Sequence, residues 1–350
     1  MGKIRVALTL GDPCGIGPEI TARVIATHPE FRENLVIVGP FQALEQSFEK
    51  LRLEIPGFTF LGEESGTGPQ NTCRGLLQER GPRNTRRGFP QERGLQILDT
   101  KNRGNFPAGK ICLPGGRASI DAIEAAHELC MSGVCSGMVT GPIGKKAINL
   151  AGSPFSGHTD MLCSLTGVKE TRMAMVLGKL RVVMTTLHVS IQKALSLLSV
   201  DSIFDTIVLA NSTFSTPKKP YPLIAVSGIN PHAGEDGMFG DEEEKFIKPA
   251  MKKARKVNPN ILGPFPADSM FKSDMRKKFD IFISHTHDQG LIAIKTLGGI
   301  KCVNVTLGLP YVRTSVGHGT AYDIAGKGVA DHSGMVMAVK EAFRLILAGK

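Results

Sequence analysis

Short apolar runs rich in β-formers alternate with amphipathic stretches along most of the chain. Ile4–Leu10 is apolar and ends in a Gly/Pro turn; Glu19–Thr27 then has helical spacing, opened by Pro18 at a first helical position. Leu35–Gly39 reads as a second strand and Phe41–Leu51 as a second helix. Ser119 is placed as the N-cap of a helix reaching about Met131, with Ile120, Ile123, Ala126, His127 and Cys130 on one face. Gly137–Thr140 is a short strand running into Gly141-Pro142. The second half keeps the rhythm: strands at Leu180–Thr186, Leu223–Gly228, Phe279–Ser284 and Val303–Leu307, helices at Val200–Phe214 and Met335–Leu347. Asp241–Val257 reads as one helix, with acids in its first turn and lysines in its last. Strands alternating with helices predict an open α/β sheet with crossover connections, and such sheets bind ligands beyond the carboxyl ends of their strands.

Residues 66–110 break this rhythm. They hold eight Gly, four Pro and an imperfect repeat, R-G-L-L-Q-E-R-G at 74–81 and R-G-F-P-Q-E-R-G at 87–94. Such a composition has little to bury and reads as a mobile surface insertion. It also carries nine Lys/Arg against three Asp/Glu, so most of the chain's net charge of +10 comes from it and the remainder is near neutral. An Arg-rich arm for nucleic acid is the alternative, but no folded nucleic-acid reader accompanies it.

Composition narrows the class. With 41% apolar and 21% charged residues, 350 residues suffice for a large core in one α/β unit or two domains. No stretch reaches the roughly 18 apolar residues of a membrane helix, and the N-terminal apolar run is too short for a signal peptide, so a cytoplasmic protein without a membrane partner is expected. Seven irregularly spaced cysteines with no C-x-x-C pair disfavour a zinc ribbon or a disulfide framework. The absence of Trp and the three Tyr leave few stacking platforms for single-stranded nucleic acid.

Three histidines fall just past predicted strands: His188 after R-V-V-M-T-T-L, His232 in G-I-N-P-H-A-G-E, and His287 in D-I-F-I-S-H-T-H. A sheet sets its strand ends side by side, so these imidazoles can form one divalent-metal site or remain three unrelated loop histidines. Asp288, Gln289 and Gly290 follow His287, and Asn230 and Glu235 flank His232, a density of polar groups that a plain turn does not need. His285, two residues before His287, is a further ligand or a partner to one. A second set suits an anion: His158 and Thr159 in P-F-S-G-H-T-D, then Lys295, Asn304 and Arg313 at spacings of eight, nine and nine beyond His287. Each alone is a solvated surface group; together they offer charge and direction to a phosphate ester. The loops G-D-P-C-G-I-G-P-E (11–19) and T-G-P-I-G-K-K (140–146) match neither a Rossmann fingerprint nor a P-loop. G-H-G-T-A-Y-D-I-A-G-K-G (317–328) is either a structural turn or a wrap for an adenosine.

In chain order stand G-D-P-x-G-I-G-P-E, T-G-P-I-x-K, G-H-T, N-P-H-A-G-E, P-A-D, H-D-Q-G, N-V-T-L-G-L-P, R-T-S and H-G-T-A. Over residues 1–50 and about 105–345 this strongly resembles the 4-hydroxythreonine-4-phosphate dehydrogenase family of pyridoxal phosphate biosynthesis. The first and last Gly motifs are also similar to those of isocitrate and isopropylmalate dehydrogenases. The resemblance implies two α/β/α sandwich domains of that dehydrogenase-like type with the active site in the cleft between them. One domain would be 1–135 plus 303–350, carrying the Gly loops, the cofactor contacts and the 66–110 insertion. The other, 136–302, would carry metal, substrate and the interface of a homodimer.

The resemblance further implies metal ligands at His188, His232 and His287, one of them contributed by the partner subunit. It implies substrate contacts at His158, Thr159, Lys295, Asn304 and Arg313, catalytic roles for Asp268 of P-A-D and for Lys295, and NAD or NADP contacts at Gly317, His318, Gly319, Thr320 and Asp323. The divalent metal would be Zn²⁺, Co²⁺, Mn²⁺ or Mg²⁺. The implied reaction oxidises C3 of 4-phosphooxy-L-threonine to a β-keto acid that loses CO2, giving 3-amino-2-oxopropyl phosphate; phosphorylated sugar acids such as 4-phospho-D-threonate and D-erythronate 4-phosphate are alternatives. Three positions depart from the family pattern: Gly144 where Asn or His is usual, Leu187 where Thr is usual, and Thr286 where Tyr is usual.

Overall fold

Residues 4–62 and 94–349 are described by the computed structural model. The Arg-rich repeat, with the nucleic-acid reading attached to it, lies outside them. The chain divides into two units, Met1–Gly167 with His318–Ala342, and Val168–Gly317 with Phe343–Lys350.

The first unit is built on five parallel strands in the order β3-β4-β2-β1-β5: β1 (Val6–Thr9), β2 (Leu35–Gly39), β3 (Phe58–Phe60), β4 (Leu95–Asp99) and β5 (Gly137–Thr140). Every residue of β1, β2 and β5 is buried, as expected of near-continuous apolar runs covered on both faces. Helices α1 (Gly17–Thr27) and α2 (Phe41–Leu51) pack on each other, and α3 (Leu113–Met131) packs on β1, β2 and β5. Helices α4 (Lys145–Leu150) and α5 (His158–Thr166) pack on α3.

Two expectations are corrected in this unit. Leu95–Leu98 is a buried strand segment, so the stretch read as one insertion over 66–110 returns to the sheet before it ends; its Gly- and Arg-rich surroundings hid a short apolar run. Helix α3 begins at Leu113 with Cys112 as N-cap, not at Ser119, whose hydroxyl donates to the Gly115 carbonyl inside the helix. Gly115 and Gly116 lie in the first turn of this helix; a Cβ on Gly116 would stand 1.9 Å from the Ala147 carbonyl oxygen, so glycine here permits close packing against α4.

The second unit carries seven strands in the order β12-β11-β6-β7-β10-β8-β9: β6 (Arg172–Leu177), β7 (Leu180–Met184), β8 (Ile224–Ser227), β9 (Ile261–Phe265), β10 (Ile281–Ser284), β11 (Val303–Leu307) and β12 (Val312–Val316). From β7 through β9 the strands run parallel; from β12 through β7 they run antiparallel, so hairpins replace the expected crossovers there. Helices α6 (Ile191–Leu197), α7 (Val200–Phe214), α8 (Lys248–Ala254), α9 (Ala267–Met270), α10 (Ser273–Lys278) and α11 (His287–Gly298) follow, and α12 (Ser333–Leu347) closes the chain. The helix expected over 241–257 is present as one uninterrupted helical run, a π-type turn at Glu243–Ile247 continuing directly into α8 (Lys248–Ala254); Pro249, which lacks an amide hydrogen, sits just past the π-type turn. Met175, Val182, Met184, Phe282, Leu291, Ile294 and Cys302 form a core between the sheet and α11. Gly290 permits this closeness, because a Cβ there would meet Met184 Sδ at 2.9 Å. Among the described residues no single helix is long and apolar enough to cross a membrane.

Candidate active site

Parallel pairing in register sets the carboxyl ends of β7, β10 and β8 in one row: Ser284 lies beside Met184, and Ile283 beside Val226. The three predicted histidines leave from this row. His188 follows β7, His287 is the first residue of α11, and His232 lies in the turn Pro231–Gly237 after β8. The rings of His188 and His287 have centroids 5.4 Å apart, whereas the His232 ring lies against Phe239 at 5.9 Å. Asp288 accepts from His287 Nδ1 at 2.6 Å, so Nε2 is the nitrogen of that ring that could face a cation.

Behind this pair sits His285, fully buried. Its Nε2–H donates to the Ser227 carbonyl at 2.8 Å, Nδ1 lies 3.3 Å from the Thr185 hydroxyl, and its own carbonyl accepts from the Thr186 hydroxyl at 2.7 Å. Burial pulls its pKa down to about 4 despite the Ser227 carbonyl, so the ring is neutral near pH 7. Gln289 accepts from the His285 amide at 2.7 Å and donates to the Gly228 carbonyl at 2.8 Å, tying β10 to β8. The Gln of H-D-Q-G therefore works as a clamp. Leu187 packs on the α11 core, and Thr286 is the N-cap residue of α11.

The His232 turn is strained. His232, Ala233, Gly234, Glu235 and Asp236 have φ of 53°, 56°, 85°, 42° and 52°, a left-handed run at roughly 1–2 kcal/mol for each residue other than glycine. Glu243 holds it in place. Its buried carboxylate accepts from the Ile229 amide at 2.7 Å, the Asn230 amide at 2.9 Å and Asn230 Nδ2 at 2.9 Å. Burial alone would raise this carboxyl, but the bonds from Asn230 and Ile229 outweigh it and hold the pKa below the usual glutamate value. Asp268 is exposed at the start of α9, which packs against this turn and β8.

Register also organises the anion set. Thr306 is opposite Arg313 and Asn304 opposite Ser315, so Asn304 and Arg313 share one sheet face. Asn304 also lies opposite Met175, a member of the core covered by α11, so that helix, which carries the exposed Lys295, stands over the same face. Arg313 is fully buried, donates to the Thr306 hydroxyl at 2.9 Å, and is pulled down to about 10 by desolvation; it remains a cation near pH 7. His158 and Thr159 open α5 in the first unit, both half-buried.

In the first unit the Gly loops are stapled together at the carboxyl ends of β1 and β5. Asp12, fully buried, accepts from the Cys14 amide at 2.9 Å and from the Tyr322 hydroxyl at 2.6 Å. Ile16 donates to the Thr320 carbonyl at 3.0 Å, and Glu19 accepts from the Ala330 amide at 2.9 Å. Of the expected cofactor residues, Thr320 is thus built into the junction of the two loops. His318 donates to the Gly319 carbonyl at 3.0 Å, Asp323 is exposed, Gly319 has nothing within 4 Å of a Cβ position, and Gly317 packs against the Cys302 carbonyl. Sequence reasoning missed Asp12, Glu19, Tyr322, Glu243 and the role of Gln289; Asp12, Glu19 and Gln289 left a trace as acids and an amide set beside glycines, Tyr322 and Glu243 none.

Among the described residues no group of three or more His, Cys, Asp or Glu side chains is gathered as a cation site. The three rings do not meet within one chain. The pair that does meet fits a divalent metal: two imidazoles on one tetrahedral ion, with metal–nitrogen distances near 2.0–2.1 Å, place their centroids roughly 5 Å apart.

A mixed α/β scaffold with polar side chains collected at strand ends defines a ligand-transforming α/β protein of the open-sheet kind. The model of the pyridoxal phosphate biosynthetic protein PdxA family matches residues 32–342, and the chain belongs to that family. It is 37% identical to the 4-hydroxythreonine-4-phosphate dehydrogenase of Beijerinckia indica, over 97% of this chain and 94% of that one. It is 34% identical to the D-threonate 4-phosphate dehydrogenase of Salmonella typhimurium, over 97% and 98%. The crystal structure of 4-hydroxythreonine-4-phosphate dehydrogenase from Klebsiella pneumoniae superposes with a TM-score of 0.80 at 30% identity, covering 98% of this chain and 99% of that one. The protein is therefore an oxidoreductase of the dehydrogenase type.

Proposed function

We propose that this dehydrogenase oxidises 4-phosphooxy-L-threonine at C3 with NAD or NADP and a divalent cation, yielding a β-keto acid that decarboxylates to 3-amino-2-oxopropyl phosphate. The observation that carries this is the His188–His287 ring pair at the β7/β10 rim, in the same unit as the Asn304–Arg313 face. His188 and His287 of one chain, with His232 from a second copy, would hold the cation. A cation held there would supply Lewis acidity toward the C3 oxygen, and a bound nicotinamide would supply the hydride acceptor.

The chain's own groups do the rest. Arg313 and Lys295 supply charge to the phosphate and Asn304 supplies direction; His158 and Thr159 are further substrate contacts. Asp268 takes the C3 hydroxyl proton. Thr320 and the open face of Gly319 receive the nicotinamide dinucleotide. A homodimer is supported by exposed apolar side chains next to both histidine segments, Val189 and Ile191 after His188, and Met238, 75% exposed, with Phe239 after His232. A second reading, the same chemistry on 4-phospho-D-threonate, is favoured by similarity to the Salmonella relative.

The test is NAD(P)H formation by the purified protein with each cation and each of 4-phosphooxy-L-threonine, 4-phospho-D-threonate and D-erythronate 4-phosphate. Turnover of the first at the highest kcat/KM is expected; no turnover of any would refute the proposal.

A further inference from the structure

His285 contributes no ligand, yet it touches every segment that carries one. Its ring spans from β8, through the Ser227 carbonyl at 2.8 Å, to β7, through the Thr185 hydroxyl at 3.3 Å. Its backbone does the same along a second line. The carbonyl receives the Thr186 amide at 3.2 Å and the Thr186 hydroxyl at 2.7 Å, while the amide donates to Gln289, whose other end holds Gly228. Thr186 lies two residues before His188, His285 two before His287, and Gly228 four before His232. An apolar side chain of similar size would fill the space but could make neither ring contact. Its two nitrogens, on opposite sides of a rigid plane, let one residue both donate to one neighbouring strand and accept from the other. With its proton committed to the Ser227 carbonyl, the ring has one tautomer and one orientation.

We propose that His285 is a positioning residue: by bridging β7, β8 and α11 at once, it sets the spacing of the His188 and His287 rings and the take-off of the His232 turn for a shared cation. This rests on the cation reading above. Residues that orient metal ligands through such bonds typically contribute 10–100-fold to metal affinity, and His285 acts on all three segments together.

The experiment is Co²⁺ titration of chelator-treated, full-length protein, read by visible absorption, with the thermal midpoint of the metal-free form recorded alongside. His285→Phe is expected to weaken Co²⁺ binding by about 10–100-fold and to change the absorption envelope. His285→Gln, which keeps a donor toward Ser227, should recover part of the affinity. Thr185→Val and Gln289→Leu leave the ring in place and remove one bridge each; each should weaken binding by a smaller factor, and they decide the matter should His285→Phe fail to fold. Variants that melt lower yet bind Co²⁺ with the parent's affinity and spectrum would overturn the inference. A parent protein that binds no Co²⁺, or a His188→Ala variant that binds it as tightly as the parent, would instead overturn the cation reading beneath it.

Discussion

Tyr322 donates its phenolic hydrogen to Oδ2 of Asp12 across 2.6 Å, joining two Gly-rich loops 310 positions apart. Gly144 makes room for this bond, since a Cβ at 144 would stand 2.0 Å from the Tyr322 oxygen. The departure at position 144 is therefore half of a pair, with the ring hydroxyl of 322 occupying the space that a side chain at 144 would fill.

Burial raises the Asp12 pKa above its ordinary value, while the bonds from Tyr322 and Cys14 oppose that rise. Tyr322→Phe removes one of them and should cost about 1–2 kcal/mol near pH 7. A carboxyl whose folded pKa is raised favours the folded state in acid and loses that contribution as pH rises through the folded value. Removing the Tyr322 donor raises it further, so the stability gap between variant and parent should widen from acid toward neutrality. Denaturant melts at several pH values check this; a gap that shrinks with rising pH would contradict it. Gly144→Asn must displace the ring and should also destabilise.

Gly116→Ala places a methyl 1.9 Å from the Ala147 carbonyl oxygen and should cost about 1–3 kcal/mol. Gly57→Ala, where nothing lies within 4 Å and φ is not positive, serves as the control and should be neutral or slightly stabilising. Equal midpoints for the two variants would contradict the packing account of α3 and α4.

Glu243→Gln replaces a carboxylate that holds Ile229 and Asn230, and should cost about 1–3 kcal/mol near pH 7. The folded pKa of Glu243 is depressed, so its contribution is present above the ordinary glutamate value and is lost as pH falls through the folded one. The penalty of the variant should accordingly vanish in acid. Because the His232 turn loses its anchor, Co²⁺ affinity should fall as well.

Burial pushes the Cys135 thiol up to about 12 and raises Cys14 and Cys130 too, whereas Cys163 and Cys112 are only half-buried. Alkylation near pH 8, followed by peptide mass mapping, should modify Cys163 and Cys112 well before Cys14, Cys130 and Cys135. Modification of Cys135 at the rate of Cys163 would show that the core around α3 opens readily.

Where one local pattern decided the outcome, the sequence was legible. Leu35–Gly39, Phe41–Leu51, Gly137–Thr140, Val200–Phe214 and Val303–Leu307 have in the structure the bounds their periodicity predicts. It was less legible where tertiary contact overrode local chemistry. Gly115-Gly116 lies inside a helix as a packing surface, ahead of the start expected at Ser119, the helix through Pro249 carries a π-type turn that its periodicity does not announce, and Leu95–Leu98 is masked by its Gly/Arg surroundings. At the site, the strand-end placement of His188 and His287 followed from sheet geometry. The bonds of His285, Glu243 and Tyr322 did not, because they depend on which loops the register brings together.

The most direct test of the shared-cation account is complementation between two inactive variants. His188→Ala and His232→Ala should each lack turnover. If one chain supplies His188 and His287 while the other supplies His232, a mixed dimer holds one intact site. Random assortment on co-expression should then restore about a quarter of the parent's NAD(P)H-forming activity. Activity no higher than that of either variant alone, or full turnover by His232→Ala, would contradict the account.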